Sequence, residues 1–159
     1  MNPLGIALAG LVATSTMLAV MSVLHRLKWA NADMVRAIGS LVTRSYEGSL
    51  IPGLIIHYSF GLFFAFIYAK LIGLAPVNTP AAIVIIATFT GLVHGVIVGL
   101  ALEVMVATYH PVPQFRRAGF AVVIAHILGH ITYGISLGIV YALYLKFHLT
   151  PHLPFHLPL

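Results

Sequence analysis

Histidine is the residue type with the most chemistry to offer in this sequence, and its positions are patterned. His126, His130, Gly134 and Gly138 follow one another at a four-residue step, which keeps them on one face of a helix. Two imidazoles spaced i, i+4 aim at one point, an arrangement that suits a mononuclear metal. The signature also occurs earlier: His57-x3-Gly61-x6-Tyr68 matches His130-x3-Gly134-x6-Tyr141, with Ser59 against Thr132, Phe60 against Tyr133 and Ile67 against Val140. The chain therefore reads as a duplicated two-helix unit built around a histidine. His126, whose counterpart in the first half is Gly53, falls outside the repeat.

Several chemistries are open to such residues. His57 and His130, one from each half, are candidate axial ligands of a haem b, with Gly61, Gly134 and Gly138 leaving room for the macrocycle. His94, His126 and Glu103 are candidate ligands of a transition metal such as copper, zinc or iron, and Glu103 is expected at the depth of His57 and His126. Met17, Met21 and His25 fall four apart and could pass Cu(I), although methionine is also ordinary apolar filler. His148, His152 and His156 punctuate a proline-rich tail able to capture a metal weakly. A proton or quinone pathway is a further possibility, but the only carboxylates are Asp33, Glu47 and Glu103, which disfavours a proton relay. Against all of these stands plain packing, since an interhelical histidine hydrogen bond contributes roughly 0.6 to 2 kcal/mol in a membrane and small residues beside it let helices approach. Zero cysteines exclude disulfides, thiolate metal sites and cysteine nucleophiles.

The elements that carry these residues are apolar. Of 159 residues 60% are hydrophobic and 7% charged, far from the quarter or so of charged residues in a soluble domain. Four stretches are long enough to cross roughly 30 Å of hydrocarbon: residues 4–24, 51–74, 81–108 and 119–145. Strict two-residue alternation is absent, which disfavours a barrel. The expected fold is therefore all-α, a polytopic membrane protein of four transmembrane helices arranged as two pseudo-repeated helix pairs, residues 1–147. Between the first two spans, Met34, Val35, Ile38, Leu41 and Val42 follow the rhythm of a short amphipathic helix over about 32–44, with Asn31 as its N-cap, lying flat on the cytoplasmic surface.

Topology follows from the basic residues. Arg26, Lys28, Arg36 and Arg44 lie in one connection and Arg116 and Arg117 in another on the same side, against Lys70 and Lys146 opposite, so both termini are expected to be external. The first span lacks a positive leading segment and is expected to be retained rather than cleaved as a signal peptide. The net charge of +5 is then explained by topology and anionic head groups, and a nucleic-acid partner is disfavoured. The expected setting is a bacterial inner (cytoplasmic) membrane. Residues 148–159 form an external Pro/His-rich tail.

On His57, Gly61 and Tyr68, and again on His130, Gly134 and Tyr141, the chain resembles small uncharacterised four-helix membrane protein families of bacteria and archaea. The resemblance covers mainly the second and fourth spans and implies a fold, not an activity. The short connections leave no room for a soluble active site. The expected function is a non-catalytic accessory or structural subunit of a larger membrane complex of the redox or energy-converting kind, in contact with lipid and other membrane subunits. Its rivals are a haem or metal carrier and a small ion or metal transporter.

Overall fold

The computed structural model describes residues 3–75, 79–116 and 119–149. Every regular element among them is helical: α1 (Pro3–Arg26), α2 (Met34–Thr43), α3 (Leu50–Leu74), α4 (Pro80–Tyr109) and α5 (Phe120–Leu149), with short 3-10 turns at Glu47–Ser49 and Pro113–Phe115. Four of the five, α1, α3, α4 and α5, are long and apolar enough to cross a membrane. Proline opens α1 and α4 and sits in the first turns of α3, where a missing N–H costs nothing. At the start of α4 the Thr79 side chain accepts from the Ala82 N–H at 3.2 Å, the cap its hydroxyl is suited to supply.

The long helices are not evenly packed. α5 lies against both α4 and α1, and α1 also lies against α3, whereas α3 and α4 touch each other little although they are consecutive. The α4–α5 seam is the tightest because small residues line it. A Cβ at Gly91 would collide with the His130 carbonyl, and one at Gly134 with the Ala87 carbonyl, so the two backbones approach as only glycine allows. In lipid the attraction between helices comes from such van der Waals contact rather than from hydrophobic transfer. Across α1 and α5, the Thr16 hydroxyl donates to Ser136 at 2.9 Å.

α2 packs on α3, where Gly39 meets Ser49 and Gly53 meets the Val35 carbonyl. Its Met34, Val35, Gly39 and Ser40 are buried, while Leu41 and Val42 are exposed. Its N-cap is Asp33, whose carboxylate accepts from the Arg36 N–H at 3.4 Å, and not Asn31. The Asn31 amide instead donates to the Gln114 carbonyl at 3.1 Å, tying the α1–α2 connection to the one between α4 and α5. A second tie runs from His110, which is 1% exposed. Its Nδ1 accepts from the Val112 N–H at 3.1 Å, so its Nε2 carries the proton and donates to the Ala37 carbonyl of α2 at 3.0 Å. The Arg116 side chain closes the loop by donating to the His110 carbonyl at 2.6 Å.

Candidate functional site

Because α3 and α4 do not close on each other, a cavity of about 340 Å³ remains between them. α3 presents His57, Phe60, Gly61 and Phe64 to it, and α4 presents His94, Val98 and Leu102 at a four-residue step. His130 and Tyr133 of α5, with Thr14 and Met17 of α1, form its floor, and Met34, Ile38 and Leu41 of α2 cover one end. At the other end α3 and α4 meet through aromatic rings. Phe64 packs on His94 with centroids 4.1 Å apart, and the Tyr68 hydroxyl reaches His94 Nδ1 at 3.2 Å.

The cavity is apolar apart from two hydroxyls and three imidazoles, and the two hydroxyls are engaged elsewhere. Thr14 donates to the Gly10 carbonyl at 2.7 Å within its own helix, and the Tyr133 hydroxyl donates to the Gly61 carbonyl at 2.6 Å, bridging α5 to α3. The imidazoles of His57, His94 and His130 are left as the groups able to meet a ligand.

Hydrogen bonds assign the tautomers of two α5 histidines. Nδ1 of His130 faces the His126 carbonyl and Nδ1 of His126 faces the Val122 carbonyl, both at 2.8 Å. A carbonyl only accepts, so each Nδ1 carries the proton and each Nε2 keeps its lone pair. Anchoring one ring nitrogen on a carbonyl is also how ligand histidines are oriented in metal sites. The rings of His94 and His130 meet edge to face with centroids 4.5 Å apart, joining α4 to α5 beside the cavity.

Of the residues singled out in the sequence, His57, His94 and His130 converge on the cavity, while His126 and Glu103 stand outside its lining. Among the described residues no three His, Asp or Glu side chains form a group that could hold a metal ion, so Glu103 is not gathered with His57 and His126 into a three-ligand centre. His57 Nε2, His126 Nε2, Glu103 Oε2 and His25 Nδ1 are nonetheless buried without a hydrogen-bond partner. Met17 and Met21 are buried on α1 and approach Gly129 of α5. The side chain of His148 and the residues His152 and His156 lie outside the described residues.

Sequence reasoning missed Phe64 and Tyr68 as partners of His94. Tyr68 was visible only as part of the repeat, and its contact with His94 depends on the rotation of two helices. No known protein family, no curated protein and no solved structure matches this chain.

Proposed function

We propose that this chain is an integral membrane protein that takes a lipid-soluble ligand from the bilayer into the α3–α4 cleft and holds its polar end on histidines, as a non-catalytic subunit of a larger membrane assembly. The observation that carries this reading is the convergence of His57, His94 and His130, from three different helices, on one apolar cavity. Ionisable side chains inside a membrane are costly and usually face a functional interior. A cavity of 300 Å³ or more with few polar groups among apolar walls is also the usual form of a small-molecule site.

In this reading α2 is an amphipathic helix on the cytoplasmic surface, both termini are external, and the membrane is a bacterial inner membrane. The duplicated histidine, glycine and tyrosine pattern makes the two helix pairs pseudo-repeats about an axis along the membrane normal. Such an axis pairs the α1–α5 contact with the α3–α4 contact. The first is closed and the second is open. The cleft is then the place where the two halves depart from symmetry, which is where a single ligand would bind.

A haem b held by His57 and His130 is the second reading, favoured by the position of both residues on the cavity wall. Native purification in mild detergent, with an absorption spectrum and extraction of bound lipid-soluble compounds, tests both. The proposal expects a compound retained near one per chain, and a Soret band lost in both His57→Ala and His130→Ala would select haem. A colourless protein carrying only bulk phospholipid would refute the ligand reading. Migration as a lone monomer on native gels would refute the subunit reading.

A further inference from the structure

The hydrogen bonds around His94 and His130 restrict what the cleft can recognise. Their Nδ1 atoms are both engaged: that of His130 with the His126 carbonyl at 2.8 Å, that of His94 with Tyr68 at 3.2 Å. Each ring therefore has Nε2 left for the cavity that both line. His130 Nε2 is an acceptor, because its proton is on Nδ1. The opposite holds for His94. Tyr68 is 1% exposed, and His94 Nδ1 is the partner of its hydroxyl. A buried O–H left undonated costs about 1 to 3 kcal/mol, so Tyr68 donates to His94 Nδ1 and the His94 proton sits on Nε2.

The two rings, 4.5 Å apart between centroids, thus carry one acceptor nitrogen and one donor nitrogen. A carbonyl or ether can satisfy only the donor, and an ammonium only the acceptor. A hydroxyl satisfies both, donating to His130 Nε2 while accepting from His94 Nε2–H. Phe60, Phe64, Val98 and Leu102 add apolar wall that suits a hydrocarbon body, with His57 as the third imidazole of the lining.

We infer that the cleft binds a membrane-soluble hydroxyl compound, an isoprenoid alcohol or a hydroquinone, by the donor–acceptor pair of His94 and His130. This inference rests on the cleft reading above and names its ligand class. Both ligand sources share a hydroxyl on an apolar body and differ in whether that body carries an aromatic ring.

The test uses the full chain in phosphatidylcholine nanodiscs with three probes: an alkyl-substituted benzohydroquinone, its di-O-methyl ether, and a polyprenol. Binding is followed by native mass spectrometry and by ¹⁵N chemical shifts of labelled histidine. The inference expects at least one hydroxyl probe to bind about tenfold more tightly than the ether, the effect of one lost hydrogen bond. It also expects a shift at His130 Nε2 with the hydroxyl probe and none with the ether. His130→Phe, which keeps an aromatic ring but no acceptor, abolishes the discrimination, and His130→Gln, which restores a side-chain carbonyl, recovers part of it should the Phe variant fold poorly. Preference for the hydroquinone or for the polyprenol identifies the source, and either supports the inference. Equal binding of ether and hydroxyl probes overturns hydroxyl recognition and leaves the cleft reading standing. Binding of no probe, or binding unaffected by Leu102→Trp, which fills the cleft, overturns both.

Discussion

His94 and His130 face each other edge to face at 4.5 Å between centroids, each held from behind by a different hydrogen bond. The contact joins α4 to α5 beside the opening that α3 leaves, so the same pair is both part of the helix seam and part of the cavity wall.

The support behind His94 can be removed alone. Tyr68→Phe takes away the hydroxyl at His94 Nδ1 and is expected to cost about 1 kcal/mol of stability. It also releases the tautomer, so the ¹⁵N spectrum of His94 should change from a single Nε2–H form to a mixture. An unchanged His94 spectrum would contradict the tautomer assignment.

The seam itself tolerates no side chain. Gly91→Ala places a methyl against the His130 carbonyl and is expected to destabilise by about 1 to 3 kcal/mol, read as a lower thermal midpoint in detergent. Gly48→Ala is the control, because nothing lies within 4 Å of its added Cβ and the midpoint should hardly move.

α2 is held from the α4–α5 connection. His110→Ala removes the donor to the Ala37 carbonyl, which keeps the Ser40 hydroxyl at 3.1 Å, and is expected to cost about 0.5 to 1.5 kcal/mol. Hydrogen exchange across Met34–Thr43 should accelerate while the α4–α5 seam remains protected. Equal acceleration in both places would mean that His110 supports the whole bundle rather than α2.

A second tie to α2 responds to pH. The Tyr46 hydroxyl donates to Asp33 at 2.9 Å, and this hydrogen bond, then burial, then the nearby carboxylate charge raise its pKa above the ordinary 10. A pKa raised by folding means that the contact stabilises the folded state fully below pH 10 and is lost as pH rises through the higher folded value. Exchange at the α2 N-terminus should therefore rise in strongly alkaline buffer in the natural protein, whereas Tyr46→Phe should be looser throughout and lack that step.

Much of the fold was legible because membrane helices announce themselves by length and composition, and the step from His126 to Gly138 by its period. A glycine ladder at Gly91, Gly95 and Gly99 repeats the same four-residue step, and it was the available signal for the tight α4–α5 seam. What stayed hidden depends on helix rotation and on where the chain turns. His94 read from the sequence as a metal-ligand candidate with His126 and Glu103, and only packing places its ring against His130 and Phe64. Asn31 and Asp33 are both able caps, and Asp33 is the one that directly precedes Met34, where α2 begins, while the Asn31 amide donates to Gln114. His110 gave no periodic signal, since it lies just past the end of α4 before a proline. His126, outside the repeat, turns out to stand beside the cavity wall rather than in it.

Whether the α3–α4 cleft holds a lipid-soluble ligand is decided by native mass spectrometry of the protein purified from its own membrane. Three forms are compared: the natural chain, Leu102→Trp, which fills the cleft, and Val104→Trp on the outward face of α4, where the residue is 69% exposed. One defined adduct per chain is expected in the natural protein and in Val104→Trp, and its loss in Leu102→Trp. Bare chains throughout, or the same adducts on all three, would contradict the ligand reading.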